Sequence, residues 1–116
     1  MEPIYDRVGR VVAWQRSNDI YHLNGSHAGV INGTNVYGHR GQQLGIFENG
    51  LFRDHRGGVV AFLRGATGGP VLPVPSVPPI PPVPLVPPVP AVPSVHRVPA
   101  VPSLGWGQEW QQFINA

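Results

Sequence analysis

Cysteine is absent from this chain, and so is lysine. Without cysteine there is no disulfide framework and no thiolate metal site. Without lysine, all 8 basic residues are arginine; they face 6 acids, for a formal charge of +2. That excess is far below a nucleic-acid footprint, so no nucleic-acid partner is expected. No uninterrupted apolar run reaches about 18 residues, so no transmembrane helix is expected. Residues 1–19 mix acids with arginines and hold no apolar stretch, so no secretory signal is expected there. A cytoplasmic location follows as the default, with peripheral membrane attachment as the variant. At 116 residues there is no room for a two-domain enzyme.

Glycine and proline are abundant, at 15 each, and they are segregated. Every proline after Pro3 lies between Pro70 and Pro102, and no charge occurs between Gly65 and Val95. The segment Ala66-Thr67-Gly68-Gly69-Pro70 is a junction of the kind that ends a folded unit. Three regions result: a repeat unit over 1–66, a Pro/Val-rich tract over 67–104 and a short amphipathic segment over 105–116.

The first region repeats every 16 residues. Gly9, Gly25, Gly41 and Gly57 mark the period. Four residues after each glycine stands Ala13, Gly29, Gly45 or Ala61, always small. The next position is apolar: Trp14, Val30, Ile46, Phe62. Five before each glycine stand Ile4, Ile20, Val36 and Phe52. Tyr5, Tyr21 and Tyr37 follow the first three, and Arg53 breaks the column. Val12, Ala28, Leu44 and Val60 form another apolar column. Sixteen residues suit one β-hairpin. The Ile/Val-Tyr pairs favour strand, and the glycines suit turns that need positive φ. Asn32-Gly33 and Asn49-Gly50 mark turns between copies. Strand alternation puts Val12 with Trp14 on one face, and likewise Ala28 with Val30, Leu44 with Ile46, and Val60 with Phe62. An isolated hairpin is marginal in water, so four copies are expected to close around an axis. The small column is where backbones crowd.

The second region has a period of three. Proline recurs from Pro75 to Pro102 with one gap at His96, and Val or Ile holds the preceding register from Val71 to Val101. Polyproline II has three residues per turn, so the tract is read as that helix. Straight, it would reach roughly 100 Å, against about 28 Å for a compact head. In the last region Trp106, Trp110, Phe113 and Ile114 fall on one helical face. A short helix that docks is expected there.

Chemistry is sparse. His39 and His55 occupy matching repeat positions, where Arg7 and Leu23 stand in the other copies, and His22 or His27 could join them across an axis. No Cys and no close His/acid cluster supports zinc, so no metal and no cofactor are expected. Asp54 and His55 are the one pair with acid–base character. No nucleophile motif accompanies them, and the chain is read as a non-enzyme. The aromatic columns Tyr5, Trp14, Tyr21, Tyr37 and Phe62 are the candidate ligand-binding residues, at a central channel or a repeat face. Trp106, Trp110 and Phe113 are the candidate contacts for a membrane or a partner.

Ile20-Tyr21, Val36-Tyr37-Gly38, Gln43-Leu44-Gly45-Ile46-Phe47, Asn49-Gly50 and Arg53-Asp54-His55-Arg56-Gly57 together resemble the 4-fold β-flower family of bacterial proteins. The junction Gly68-Gly69-Pro70-Val71, the Pro-periodic tract and the closing Trp segment extend the resemblance over nearly the whole chain. It implies a shallow barrel of four hairpin petals with pseudo-fourfold symmetry. It implies no activity. A likeness of that fold to tubby-type tethering barrels implies lipid association by analogy alone. Tails in the family are often Lys-rich; this one has no Lys and one Arg, which weakens an electrostatic grip on a bilayer.

The expected fold is therefore all-β: four hairpin repeats closed into a shallow barrel, then a polyproline II tail and a short C-terminal helix. The expected function is a non-enzymatic binding or scaffold module whose proline-rich arm meets protein partners. The alternative is a lipid- or membrane-associated protein with an apolar channel.

Overall fold

The computed structural model describes residues 1–73 and 104–116. The polyproline reading of the tract falls on 74–103 and lies outside the described residues. Eight strands precede one short helix: β1 (Glu2–Tyr5), β2 (Val11–Arg16), β3 (Asp19–His22), β4 (His27–Asn32), β5 (Asn35–Gly38), β6 (Gln43–Glu48), β7 (Leu51–Arg53), β8 (Val59–Phe62) and α1 (Trp110–Ile114). Each strand pairs antiparallel with its neighbour in the chain. Tyr5 opposite Phe62 joins β8 to β1 and closes the barrel.

Glycine sets the period. Gly9, Gly25, Gly41 and Gly57 have φ of 84, 90, 84 and 83°. Each donates its N–H to the carbonyl three residues back, at 2.9–3.0 Å: Asp6, His22, Gly38 and Asp54. These four residues donate in turn to the carbonyls of Arg10, Ser26, Gln42 and Gly58. One turn is thus built four times. A side chain at positive φ would strain it. The turns between copies are two-residue hairpins, such as Asn49-Gly50 with φ of 53 and 79°, the pattern of a type I′ turn.

Across each glycine turn, a large residue opposes a small one. Ile4 faces Ala13, Ile20 faces Gly29, Val36 faces Gly45 and Phe52 faces Ala61. The register then slips by one residue in every copy. Tyr5, Tyr21, Tyr37 and Arg53 face Val11, His27, Gln43 and Val59. Val12, Ala28, Leu44 and Val60 are the extra residues of four equivalent β-bulges.

The bulge corrects the expected alternation. Ala28, Leu44, Val60 and Ala61 enter the central cluster with Ile4, Ile20, Val36 and Phe52, and Val12 packs against it. Trp14, Val30, Ile46 and Phe62 are not members. The expected same-face pairs are therefore split, because two successive residues of a bulged strand turn inward.

Every strand contributes to that cluster, and so does the C-terminal helix through Trp110, Phe113 and Ile114. Phe113 donates its backbone N–H to Glu109 at 3.1 Å. The Gln112 side chain reaches back to the Glu109 N–H at 3.4 Å. This fixes the first turn. Trp110 meets Phe52 edge-on at 5.6 Å, and Phe113 lies 5.6 Å from Trp110. Trp106 is not on this helix. It precedes it, in a parallel bridge to Val59, which corrects the expected four-residue helical face.

Candidate functional site

The end of the barrel that carries the glycine turns is where the C-terminal segment docks. Val59 donates its N–H to Gly105 at 3.0 Å, and Gly107 donates to Val59 at 2.8 Å. The crossing is tight: a Cβ on Gly58 would lie 2.7 Å from the Gly107 Cα. Only glycine on both sides allows it.

Two turns grip this segment. In the first copy, Arg7 Nη2 donates to the Gly107 carbonyl at 2.7 Å and lies 3.6 Å from Glu109. In the fourth, Asp54 is buried. Its Oδ1 accepts from the N–H groups of Arg56 and Gly58 at 2.9 and 3.1 Å. Its Oδ2 accepts from the Gln108 N–H at 3.0 Å. Both oxygens thus serve the backbone, and His55 beside them is exposed. The third turn joins in through Gln42 Nε2, which donates to the Ala116 carbonyl at 2.8 Å. A cleft of about 710 Å³ runs beside the clamp, lined by Leu44, Asp54, His55, Arg56, Trp106 and Gln108 among others.

A second apolar cluster lies on the other face of β7, β8 and β1. Tyr5, Leu51, Val59 and Phe62 form it, and Ala66, Leu72 and Trp106 pack against it. Tyr5 and Phe62 stack at 5.4 Å. The chain reaches this cluster twice, once as it leaves the barrel at Leu72 and again as it returns at Trp106. Arg53, the break in the tyrosine column, holds the outgoing chain. It donates to the Gly57 carbonyl at 2.6 Å and to the Gly68 carbonyl at 3.0 Å. A tyrosine has no such pair of donors.

The sequence-expected residues therefore separate. Tyr5 and Phe62 belong to the second cluster. Trp14 pairs with Tyr21, and Tyr37 with Val30, all away from the central cluster. None of the five lines a central channel, because side chains from every strand and from α1 occupy the centre. Trp110 and Phe113 are 2 % and 0 % exposed. Their burial against the chain's own core corrects the expectation that they face a membrane or partner. Among the described residues, no helix is long and apolar enough to cross a membrane.

Sequence reasoning missed Arg53, Gly58, Gly107 and Arg7 as contacts. The Arg53 departure was visible as a broken column, but its partner Gly68 was not. The histidines also regroup. The Nδ1 of His39 lies 3.3 Å from the Nδ1 of His27, in the neighbouring copy. His27 Nε2 lies 3.1 Å from Asp19 Oδ1. Burial, then the neighbouring His39 and His27, lower the pKa of His22 below the usual imidazole value. Among the described residues, no three His, Cys, Asp or Glu side chains form a group that could hold a metal.

A family model described as 4-fold beta flower protein matches residues 2–114. No curated protein and no solved structure matches the chain.

Proposed function

The chain belongs to the 4-fold β-flower family, and from that premise we propose that it is a non-enzymatic scaffold that displays a proline-rich arm to protein partners. The observation that carries this reading is the double anchorage of the arm. Leu72 before it and Trp106 after it pack against the same cluster, formed by Tyr5, Leu51, Val59 and Phe62. The head thus holds the chain both before and after the intervening segment, at Leu72 and at Trp106.

Tethering supports recognition physically. Both ends are already ordered, so a partner loses less entropy than it would in gripping a free tail. Proline-rich segments are ligands for aromatic-lined grooves. The base of the arm is apolar and open: Val71 is 96 % exposed and Leu104 is 74 % exposed.

The test replaces residues 74–103 by a ten-residue Gly/Ser linker. About 33 Å of reach suffices to join two residues seated on one cluster. Binding to a panel of SH3 and WW domains is then measured by titration NMR. The reading expects saturable binding of the full chain by at least one domain, lost in the linker variant. No binding by the full chain, or equal binding by the linker variant, contradicts it.

A further inference from the structure

Copies two and three carry polar pairs at matching positions of the repeat. His27 faces Asp19, and sixteen residues on, Gln43 Nε2 donates to Asn35 Oδ1 at 3.0 Å. The other copies have Pro3 with Val11, and Leu51 with Val59, at these positions. The amide pair of copy three has an imidazole and a carboxylate as its counterpart in copy two, and the imidazole has a second nitrogen to use.

The His27 side chain is only 7 % exposed. Its Nε2 lies 3.1 Å from an Asp19 oxygen. An ionised carboxylate only accepts, so this nitrogen carries the hydrogen. The tautomer is thereby fixed, and a lone pair is left on Nδ1. That lone pair faces the Nδ1 of His39, at 3.3 Å, on an exposed turn of the next copy. The rings stand 5.5 Å apart and inclined by 60°. Two nitrogen ligands on a tetrahedral ion, each at about 2.0–2.1 Å, are themselves about 3.3–3.4 Å apart. The two nitrogens are therefore spaced as one edge of such a site. Copy two supplies one ligand on a strand, held from behind by a carboxylate, the arrangement that orients metal-bound histidines. Copy three supplies the other from an exposed turn.

We propose that His27 and His39 form a two-histidine site for a divalent transition-metal ion that favours imidazole, such as zinc, nickel or copper. Asp19 positions His27 and does not touch the ion. With two protein ligands, water fills the remaining positions. The site is open and exchangeable, unlike a closed structural zinc centre.

The test uses the full chain, stripped by chelator and titrated with zinc chloride and nickel chloride by calorimetry. The 15N shifts of the histidine rings are followed in parallel. The expected result is one ion per chain, with the His27 and His39 Nδ1 signals moving. His39→Ala, an exposed substitution, weakens binding at least tenfold. Asp19→Asn weakens it by about tenfold or more. His55→Ala, at the matching turn of the fourth copy, leaves it unchanged. A chain that takes up no ion overturns the proposal. So does one that binds equally well after His39→Ala, or one that loses as much affinity through His55→Ala.

Discussion

Copies one and four of the barrel differ from copies two and three, although all four share one backbone. Every copy has the same glycine turn, the same bulge and the same large-on-small pairing across it. Copies one and four spend most of their variable side chains on the returning chain, to which copy three adds the Gln42 bond to Ala116. Arg7 and Asp54 grip residues 107–109, and Tyr5, Leu51, Val59 and Phe62 receive Leu72 and Trp106. Copies two and three put polar pairs at matching positions, Asp19 with His27 and Asn35 with Gln43. The fold is thus set by the residues that repeat. Specialisation is set by those that do not.

The largest effect should come from emptying the seat of the returning helix. Phe113 is fully buried in the central cluster. Phe113→Ala is expected to cost about 3–5 kcal/mol, read as a lowered midpoint in urea unfolding. A loss under about 1 kcal/mol would mean that α1 is an accessory rather than part of the core.

Next comes the unequal use of two matching aspartates. Asp6 accepts from Val8 and Arg10 within its own turn. Asp54 accepts from its own turn and from Gln108 as well. Asp54→Ala should cost about 2–4 kcal/mol, because it strands three backbone donors, one of them in the docked segment. Asp6→Ala should cost clearly less. Equal losses in thermal unfolding would erase the distinction between the two turns.

The small column sharpens the comparison further. Copies one and four carry Ala13 and Ala61, whereas two and three carry Gly29 and Gly45. A Cβ at Gly45 would run into the Arg53 carbonyl oxygen and crowd Phe113, and one at Gly29 would run into the Tyr37 carbonyl oxygen. Gly45→Ala should destabilise by about 1–3 kcal/mol through overpacking. Ala13→Gly should cost about 1–2 kcal/mol, from chain entropy and the loss of a fully buried methyl. A Gly45→Ala chain as stable as the original in denaturant titrations would refute the packing argument.

The smallest effect concerns acid. Folding lowers the His22 pKa below its ordinary 6.5, mainly by burial and then through His39 and His27. The unfolded chain therefore binds this proton more readily. The stability tied to neutral His22 is present above pH 6.5 and is lost as the pH falls below that value. His22→Gln should flatten that acid limb in metal-free buffer. An unaltered pH–stability slope would remove His22 as its source.

Much of this was legible in the sequence. The 16-residue period, the positive-φ glycines and the docking helix all rest on local chemistry that a pattern exposes. The bulge was not legible. Val12 and Ala13 look like ordinary alternating strand residues, and nothing local signals that both turn inward. Arg53 was visible only as an exception, since its partner Gly68 lies 15 residues away. The pairing of His39 with His27 was hidden for a related reason. Repeat arithmetic matches His39 to His55, whereas neighbouring copies bring it to His27. Trp106 read as helical because its spacing fits; its place was decided instead by a strand bridge to Val59.

The central claim is that the barrel is completed by chain that returns after the proline-rich arm. The most direct measurement compares thermal unfolding of three chains: the full chain, the ten-residue linker variant and a chain stopped at residue 73. The account predicts cooperative unfolding at similar temperatures for the first two. It predicts loss of the cooperative transition in the third, restored by adding a peptide of residues 104–116. A chain ending at residue 73 that melts like the full chain would contradict it.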